Sequence, residues 1–269
     1  MKLREIKARS IITKSNLPDA DYVINPYVGC MHSCIYCYAR FMKRFTGHDE
    51  PWGKFVDAKI NAPELIPEKT VKYKGQSIFL SSVTDPYLAF EHKYKLTRKI
   101  LEKLIPLQPN LGIQTKSDLI ARDIDLLKQF KHCEAGLTIT SADDNIRKEV
   151  EPFASSVEKR IAALEKLKAA GIKTYVFIGP IFPFLTDWKE IMRRTKKYAD
   201  FYMLENLNIR GSVWNSIKTW LKAKHPELLP KYEEIYFTKN NYWDNAEKEI
   251  ADFCRKNKIT CRIYFHHGK

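Results

Sequence analysis

The sequence predicts an α/β fold, a partial and open (βα)6 barrel that carries an extra C-terminal helix and strand. Three observations lead there. Short β-rich runs alternate with helical patterns along the 269 residues, the order that builds parallel βα units. No stretch reads as a linker, a low-complexity run or a fixed-period repeat. Residues 1–269 are therefore expected to form a single domain, with 1–24 as a lead-in and about 207–269 as an extension packed on the barrel. Polar residues also follow nearly every candidate strand, where ligands of parallel βα folds gather.

The first expected strand, 22–25, runs directly into a loop rich in cysteine. The second, 77–83, ends in Ser81, Ser82, Val83, Thr84, Asp85, Pro86 and Tyr87. The third, 111–115, is followed by Lys116, Ser117 and Asp118, and the fourth, 135–140, by Ser141. Gly179 and Pro180 follow the fifth, 173–178, and Glu205 and Asn206 follow the sixth, 201–204. Helix 155–170 has Val157, Ile161, Leu164 and Leu167 as one apolar stripe, charges opposite, and Gly171 as its stop. Helix 241–257 places Ala246, Ile250, Phe253 and Cys254 on one face, and a last strand, 260–265, follows it.

Composition narrows the class. Hydrophobic residues make up 44%, enough for a sizeable core, and no apolar run approaches the roughly 20 residues that cross a bilayer. Six cysteines without a secretory leader pattern do not suggest a disulfide framework, so a cytoplasmic setting is expected. The net charge of +14 favours polyanions, nucleic acid first. A lysine-rich surface on an enzyme of small substrates, or adaptation to a warm or salty habitat, would give the same excess. The basic residues are scattered: Lys43 and Arg44, then 93–99, 193–197, 218–224 and 255–258.

Residues 25–40, NPYVGCMHSCIYCYAR, carry the chemistry. Cys30, Cys34 and Cys37 stand in a C-x3-C-x2-C pattern with no fourth cysteine at similar spacing. Thiolates are the usual ligands of iron–sulfur clusters, and three of them hold three irons of a [4Fe–4S] cube while leaving the fourth open. An open iron points to chemistry rather than electron transfer alone. His32 lies inside the loop and would allow a Cys3His zinc site, although the short turn between Cys30 and Cys34 makes a closed tetrahedron awkward. Cys254 and Cys261 follow core patterns. With Cys133 and His266 they would be the only material for a second cluster, and none has a C-x2-C spacing.

The spacing, with Tyr36 before the third cysteine, resembles the signature of the radical S-adenosylmethionine (SAM) superfamily. The longer string, with SSVTDPY and TKSD, resembles its spore photoproduct lyase-like branch. The resemblance thins after about residue 185 and implies the following. The fold is the partial barrel of the radical SAM type. The open iron binds SAM, and an electron, from a donor such as flavodoxin or ferredoxin, breaks a carbon–sulfur bond to give a 5′-deoxyadenosyl radical. Tyr36 and Tyr38 pack beside the adenine. Thr84 and Asp85 stand where relatives accept the methionine ammonium, although here without the usual glycine–glycine–glutamate form, and Glu91 is a second acceptor. Ser117 sits close to SAM. Thr115 stands where spore photoproduct lyase has the cysteine that returns a hydrogen atom, so dimer repair by that route is not expected.

Further contacts are expected from Arg122 or Lys116 to the SAM carboxylate, and from Ser141, Glu205 and Asn206 to the ribose or substrate. The backbone at Gly179 would pass close to adenine, and Arg40, one turn from the cluster, would stabilise its reduced form or hold a carboxylate, a surface salt bridge being the alternative. The substrate expected first is a nucleic-acid base, and otherwise a peptide or small metabolite. A basic nucleic-acid-binding protein with a structural metal site is the remaining reading.

Overall fold

The seven expected strands all form in the computed structural model, which describes residues 1–265. Eleven strands occur among those residues: β1 (Lys2–Ile6), β2 (Ile12–Lys14), β3 (Tyr22–Ile24), β4 (Tyr27–Val28), β5 (Phe55–Lys59), β6 (Ser77–Leu80), β7 (Asn110–Thr115), β8 (Cys133–Thr138), β9 (Lys173–Ile181), β10 (Phe201–Asn206) and β11 (Cys261–Tyr264). Eight of them make one sheet in the order β11-β10-β9-β8-β7-β6-β3-β2, parallel throughout except for β2 against β3. The sheet curls without closing: Tyr264 on edge strand β11 donates to Asp19, ahead of β3, at 2.9 Å. This is the open barrel with one added C-terminal strand. Its middle strands are covered on both faces, as parallel sheets require, so Leu111, Ile113, Ala135, Leu137, Val176 and Ile178 form one core.

A second sheet, β1-β5-β4, was not expected. Residues 1–24, expected as a lead-in, hold β1, β2 and β3. β1 (KLREI) is too polar to read as a strand, and β5 (FVDAK) buries Asp57. That aspartate is acceptable inside because His48 Nε2 lies 2.8 Å from its Oδ1. The small sheet matters for position: β4 leads straight into Gly29 and Cys30.

Helix Val157–Ala169 starts at Ser156, whose Oγ accepts from Lys159 N at 3.3 Å. Its charged side is not all exposed. Arg160 is fully buried and paired with the equally buried Glu151 at 2.6 Å, while Ile161 of the expected stripe is half-buried. Helix Tyr242–Lys256 buries Trp243, Ile250 and Cys254. Among the described residues, no helix is long and apolar enough to cross a membrane.

Candidate functional site at the cysteine loop

The loop after β4 is pinned from several sides by its own backbone chemistry. Gly29 has φ +83°, and a Cβ there would lie 2.4 Å from the Phe55 carbonyl oxygen, so only glycine fits. Ser33, between the first two cysteines, also has positive φ (54°), and its Oγ donates to Gly53 O at 2.8 Å. Thr84 Oγ1 donates to Gly29 O at 2.6 Å, and Ile35 N donates to Val150 O at 3.1 Å. Strands β5 and β6 and the segment after β8 therefore grip one short turn.

Within that turn Cys34 is 7% exposed, and Cys30 and Cys37 are half-buried. The three lie close enough to feel one another's charge. Burial pushes the Cys34 thiol up to about 12, against the pull of the Lys116 ammonium. Burial, then the Asp85 carboxylate, push Cys30 well above its ordinary value. Bare thiolates are disfavoured here, so the site suits metal cations, which deprotonate coordinated thiols outright.

Behind the thiols stands a buried polar network. The Tyr36 hydroxyl donates to Glu151 Oε1, and Glu151 Oε2 pairs with Arg160. Burial works against the Glu151 carboxylate, but Arg160 and Lys116 hold its pKa below the usual range. The Tyr36 ring meets the edge of Phe182 at 5.6 Å, and the Lys116 ammonium lies 5.7 Å from its centroid. Burial also opposes the Lys116 charge, yet Cys34, Glu151 and Asp85 outweigh it and raise its pKa. Arg40 is fixed by the loop and its neighbour: it donates to Cys37 O at 3.0 Å, Ile35 O at 2.6 Å and Ser216 Oγ at 2.7 Å, tying the loop to helix Val213–Lys224.

Several residues expected at a ligand make hydrogen bonds to the protein. Asp85 Oδ1 accepts from Tyr87 N (2.8 Å) and Thr115 Oγ1 (2.6 Å); Oδ2 accepts from Lys116 N (2.9 Å) and faces His32 Nε2 at 3.2 Å. A carboxylate has about four acceptor positions, and here the protein faces all of them. Arg122 donates to Asp123 (2.7 and 2.8 Å) and to Glu91 O and Oε2 (2.9 and 3.1 Å), so its fork points into a structural cluster. Glu91 is buried and also accepts from Tyr27 and from Thr97 N. Ser117 Oγ accepts from Leu119 N at 3.3 Å and Ser141 Oγ from Asp143 N at 3.0 Å, turns that leave each hydroxyl proton unassigned.

Tyr38 is exposed and donates to Ser82 O, with Glu205 near enough for its charge to act on it. Gly179 lies inside β9, where a Cβ would strike the Phe177 ring at 2.3 Å. Asn206 is buried.

His32 was expected only as a possible zinc ligand. Its Nδ1 lies 3.2 Å from the Phe153 carbonyl, a contact in which nitrogen must donate, and Nε2 faces Asp85. Nδ1 thus helps to hold the loop, while Nε2 has the Asp85 carboxylate as its neighbour without a hydrogen bond of good geometry. Among the described residues, no three Cys, His, Asp or Glu side chains converge on one ion. A tetrahedral zinc with Zn–S of about 2.3 Å draws its sulfurs to about 3.8 Å from each other, whereas thiolates on separate irons of a cube stand farther apart. Cys254 lies in the core, Cys133 and Cys261 pack against it, and His266 is outside the described residues. Sequence reasoning missed Glu151 and Arg160, whose only signal was an arginine on an amphipathic helix with no carboxylate beside it in sequence.

The profile of the Radical SAM superfamily matches residues 24–195. An uncharacterized protein of Methanocaldococcus jannaschii is 45% identical over 227 residues, 84% of this chain and 85% of its own. Spore photoproduct lyase of Bacillus subtilis is 26% identical over 193 residues, 69% of this chain and 53% of its own. A solved structure of spore photoproduct lyase complexed with dinucleoside spore photoproduct superposes with a TM-score of 0.73 at 17% identity. It covers 98% of this chain and 82% of that one, and so shares the fold.

Proposed function

The chain belongs to the radical SAM superfamily, and from that premise we propose that Cys30, Cys34 and Cys37 hold three irons of a [4Fe–4S] cluster whose fourth iron takes SAM. The observation that carries this is the loop itself: three cysteines on one short turn gripped by Phe55, Gly53 and Thr84, close enough for their charges to interact. When bound, the pair supplies reductive cleavage of SAM to methionine and a 5′-deoxyadenosyl radical that takes a hydrogen atom from the substrate.

The chain's own residues place and shield that chemistry. Tyr36, fixed by Glu151, offers a rigid aromatic edge for the adenine, with Tyr38 and the backbone at Gly179 as further adenine contacts. Lys116 is the cation left facing the site and is assigned the SAM carboxylate. Ser117 and Ser141 each retain a hydroxyl proton to donate to SAM or substrate. Asp85, Thr84 and Arg122 are positioning residues, because their polar atoms already hold the loop or the strand ends. Arg40 keeps positive charge beside Cys37 and favours the reduced cluster.

A nucleic-acid base is the substrate we assign, on the net charge of +14 and on the likeness to a lyase solved with a dinucleoside. Thr115 is a buried hydroxyl that donates to Asp85, and an O–H bond is too strong to serve as a ready hydrogen-atom donor. The reaction therefore ends differently from dimer repair, and we assign it to the lyase or transferase type. The setting is cytoplasmic, with flavodoxin or ferredoxin as electron donor. The test is anaerobic reconstitution with iron and sulfide, then dithionite and SAM, alone and with oligonucleotides, with 5′-deoxyadenosine measured by chromatography. Product that requires all three cysteines and rises with oligonucleotide is expected. A protein that retains zinc in place of iron, or that never forms product, would overturn the reading.

A further inference from the structure

Phenylalanines 45, 153 and 184 are 66%, 55% and 55% exposed, far more than rings of that size usually are. Each has a cation against its ring: Arg44 lies 4.6 Å from the Phe45 centroid, Lys54 5.7 Å from Phe153, and Lys231 5.1 Å from Phe184. All three belong to the cysteine end of the sheet. Phe45 closes the 3-10 helix Tyr38–Phe45, which begins at the residue after Cys37. The Phe153 backbone meets His32 inside the loop: its N–H donates to His32 O, and its carbonyl oxygen lies 3.2 Å from His32 Nδ1. Phe184 follows β9 by three residues, between Phe182, whose ring meets Tyr36, and Leu185, which packs in the same cluster. Phe184 also has φ +65°, a conformation a bulky residue adopts only when its surroundings impose it.

We propose that these rings are stacking platforms for unpaired bases, and that Arg44, Lys54 and Lys231 take the phosphates between them, so that a single-stranded nucleic acid is threaded across the mouth of the site. The proposal rests on the nucleic-acid reading above and extends it from a base to a strand. Every base has a π face, so ring stacking holds a strand without reading its sequence, while cations track the backbone. An acidic electron carrier would be drawn by the same cations, but charge attraction alone gives it no use for three separate rings.

The experiment is fluorescence anisotropy of the reconstituted full chain with labelled single-stranded and duplex oligonucleotides across a salt series. Phe45→Ala, Phe153→Ala and Phe184→Ala should each weaken single-strand binding by ~10-fold with the salt slope unchanged. Arg44→Gln and Lys54→Gln should instead lower the slope of log K against log salt by about 0.7 each. Tryptophan at the same three positions should keep or strengthen binding, which separates lost stacking from misfolding. Intact protein that binds single strands while the alanine variants match it would remove the platforms and leave the base reading standing. Duplex bound as tightly as single strand, or flavodoxin affinity falling with the rings while oligonucleotide affinity does not, would also overturn the proposal. Intact protein that binds no polynucleotide would overturn both readings.

Discussion

The cysteine loop and the Asp85–Arg122 cluster occupy the same end of the sheet and use polar side chains in opposite ways. In the loop the backbone is fixed by Gly29, Ser33 and Thr84, while the thiols are left within reach of one another's charge and burial holds the protons on Cys30 and Cys34. In the cluster the side chains themselves are fixed: protein groups surround Asp85 and Arg122 at hydrogen-bonding distance. Residue type and location at a strand end are thus insufficient to name a ligand-binding group. Spare bonding capacity distinguishes the two regions, and each variant below tests which side of that line a residue falls on.

The largest effect is expected at the loop. Cys34→Ala should abolish iron retention and 5′-deoxyadenosine formation while leaving the fold intact, because the small apolar side chain suits a buried position. Iron content and circular dichroism check it; retained activity would break the assignment of the loop. Next is Glu151→Gln, which leaves the buried Arg160 without its counter-charge and should cost about 3–5 kcal/mol. Thermal unfolding of the apoprotein should then fall by about 10 °C. The sign with pH follows from the depressed carboxylate: its contribution is present above the unfolded value of about 4.3 and is lost as pH falls through the lower folded value. The gap between wild type and variant should therefore narrow in acid, and a gap that widens would contradict the pairing.

The sequence made the fold legible where burial dictates composition. β6 through β10 are short runs with apolar residues on covered faces, and Gly171 marks the end of a helix whose stripe is visible. β1 was hidden by its polar composition, and β5 by a buried aspartate whose partner, His48, only tertiary structure brings to it. The site divides the same way. C-x3-C-x2-C is a local pattern, so its meaning survives without coordinates. The roles of Asp85 and Arg122 depend on partners such as Thr115, Lys116 and Glu91, about 30 residues away, and Arg160 looked like a surface residue until Glu151 appeared beside it.

Asp85→Asn sharpens the comparison further. The amide places N–H groups against N–H donors such as Lys116 N, which should loosen the turn by about 2 kcal/mol and reduce iron bound after reconstitution. The SAM affinity of the loaded fraction should stay within twofold. Arg122→Gln should cost a similar amount, since two buried carboxylates lose part of their neutralisation and only Arg98, on Asp123, remains. It too should leave SAM affinity unchanged. Equilibrium dialysis with labelled SAM decides both: a tenfold loss in either variant would return that residue to the cofactor.

The smallest effect tests how many anchors the turn needs. Thr84 Oγ1 donates to Gly29 O at 2.6 Å, one residue before the first cysteine. Thr84→Val keeps the shape and removes the hydroxyl, leaving the Gly29 carbonyl short of one donor. The loss should be about 1 kcal/mol, a shift of about 3 °C in a chain of this length. Gly29 is still trapped against Phe55, and Ser33 still holds Gly53, so the turn should keep its path and iron should be retained in full. Thr84→Ser, which restores the hydroxyl, should recover most of the stability. If the valine variant loses iron out of proportion to its 3 °C or so, the loop is not over-determined by its backbone. The threonine would then act on the first thiol's placement, and the line between scaffold and site would run through β6 rather than at the loop.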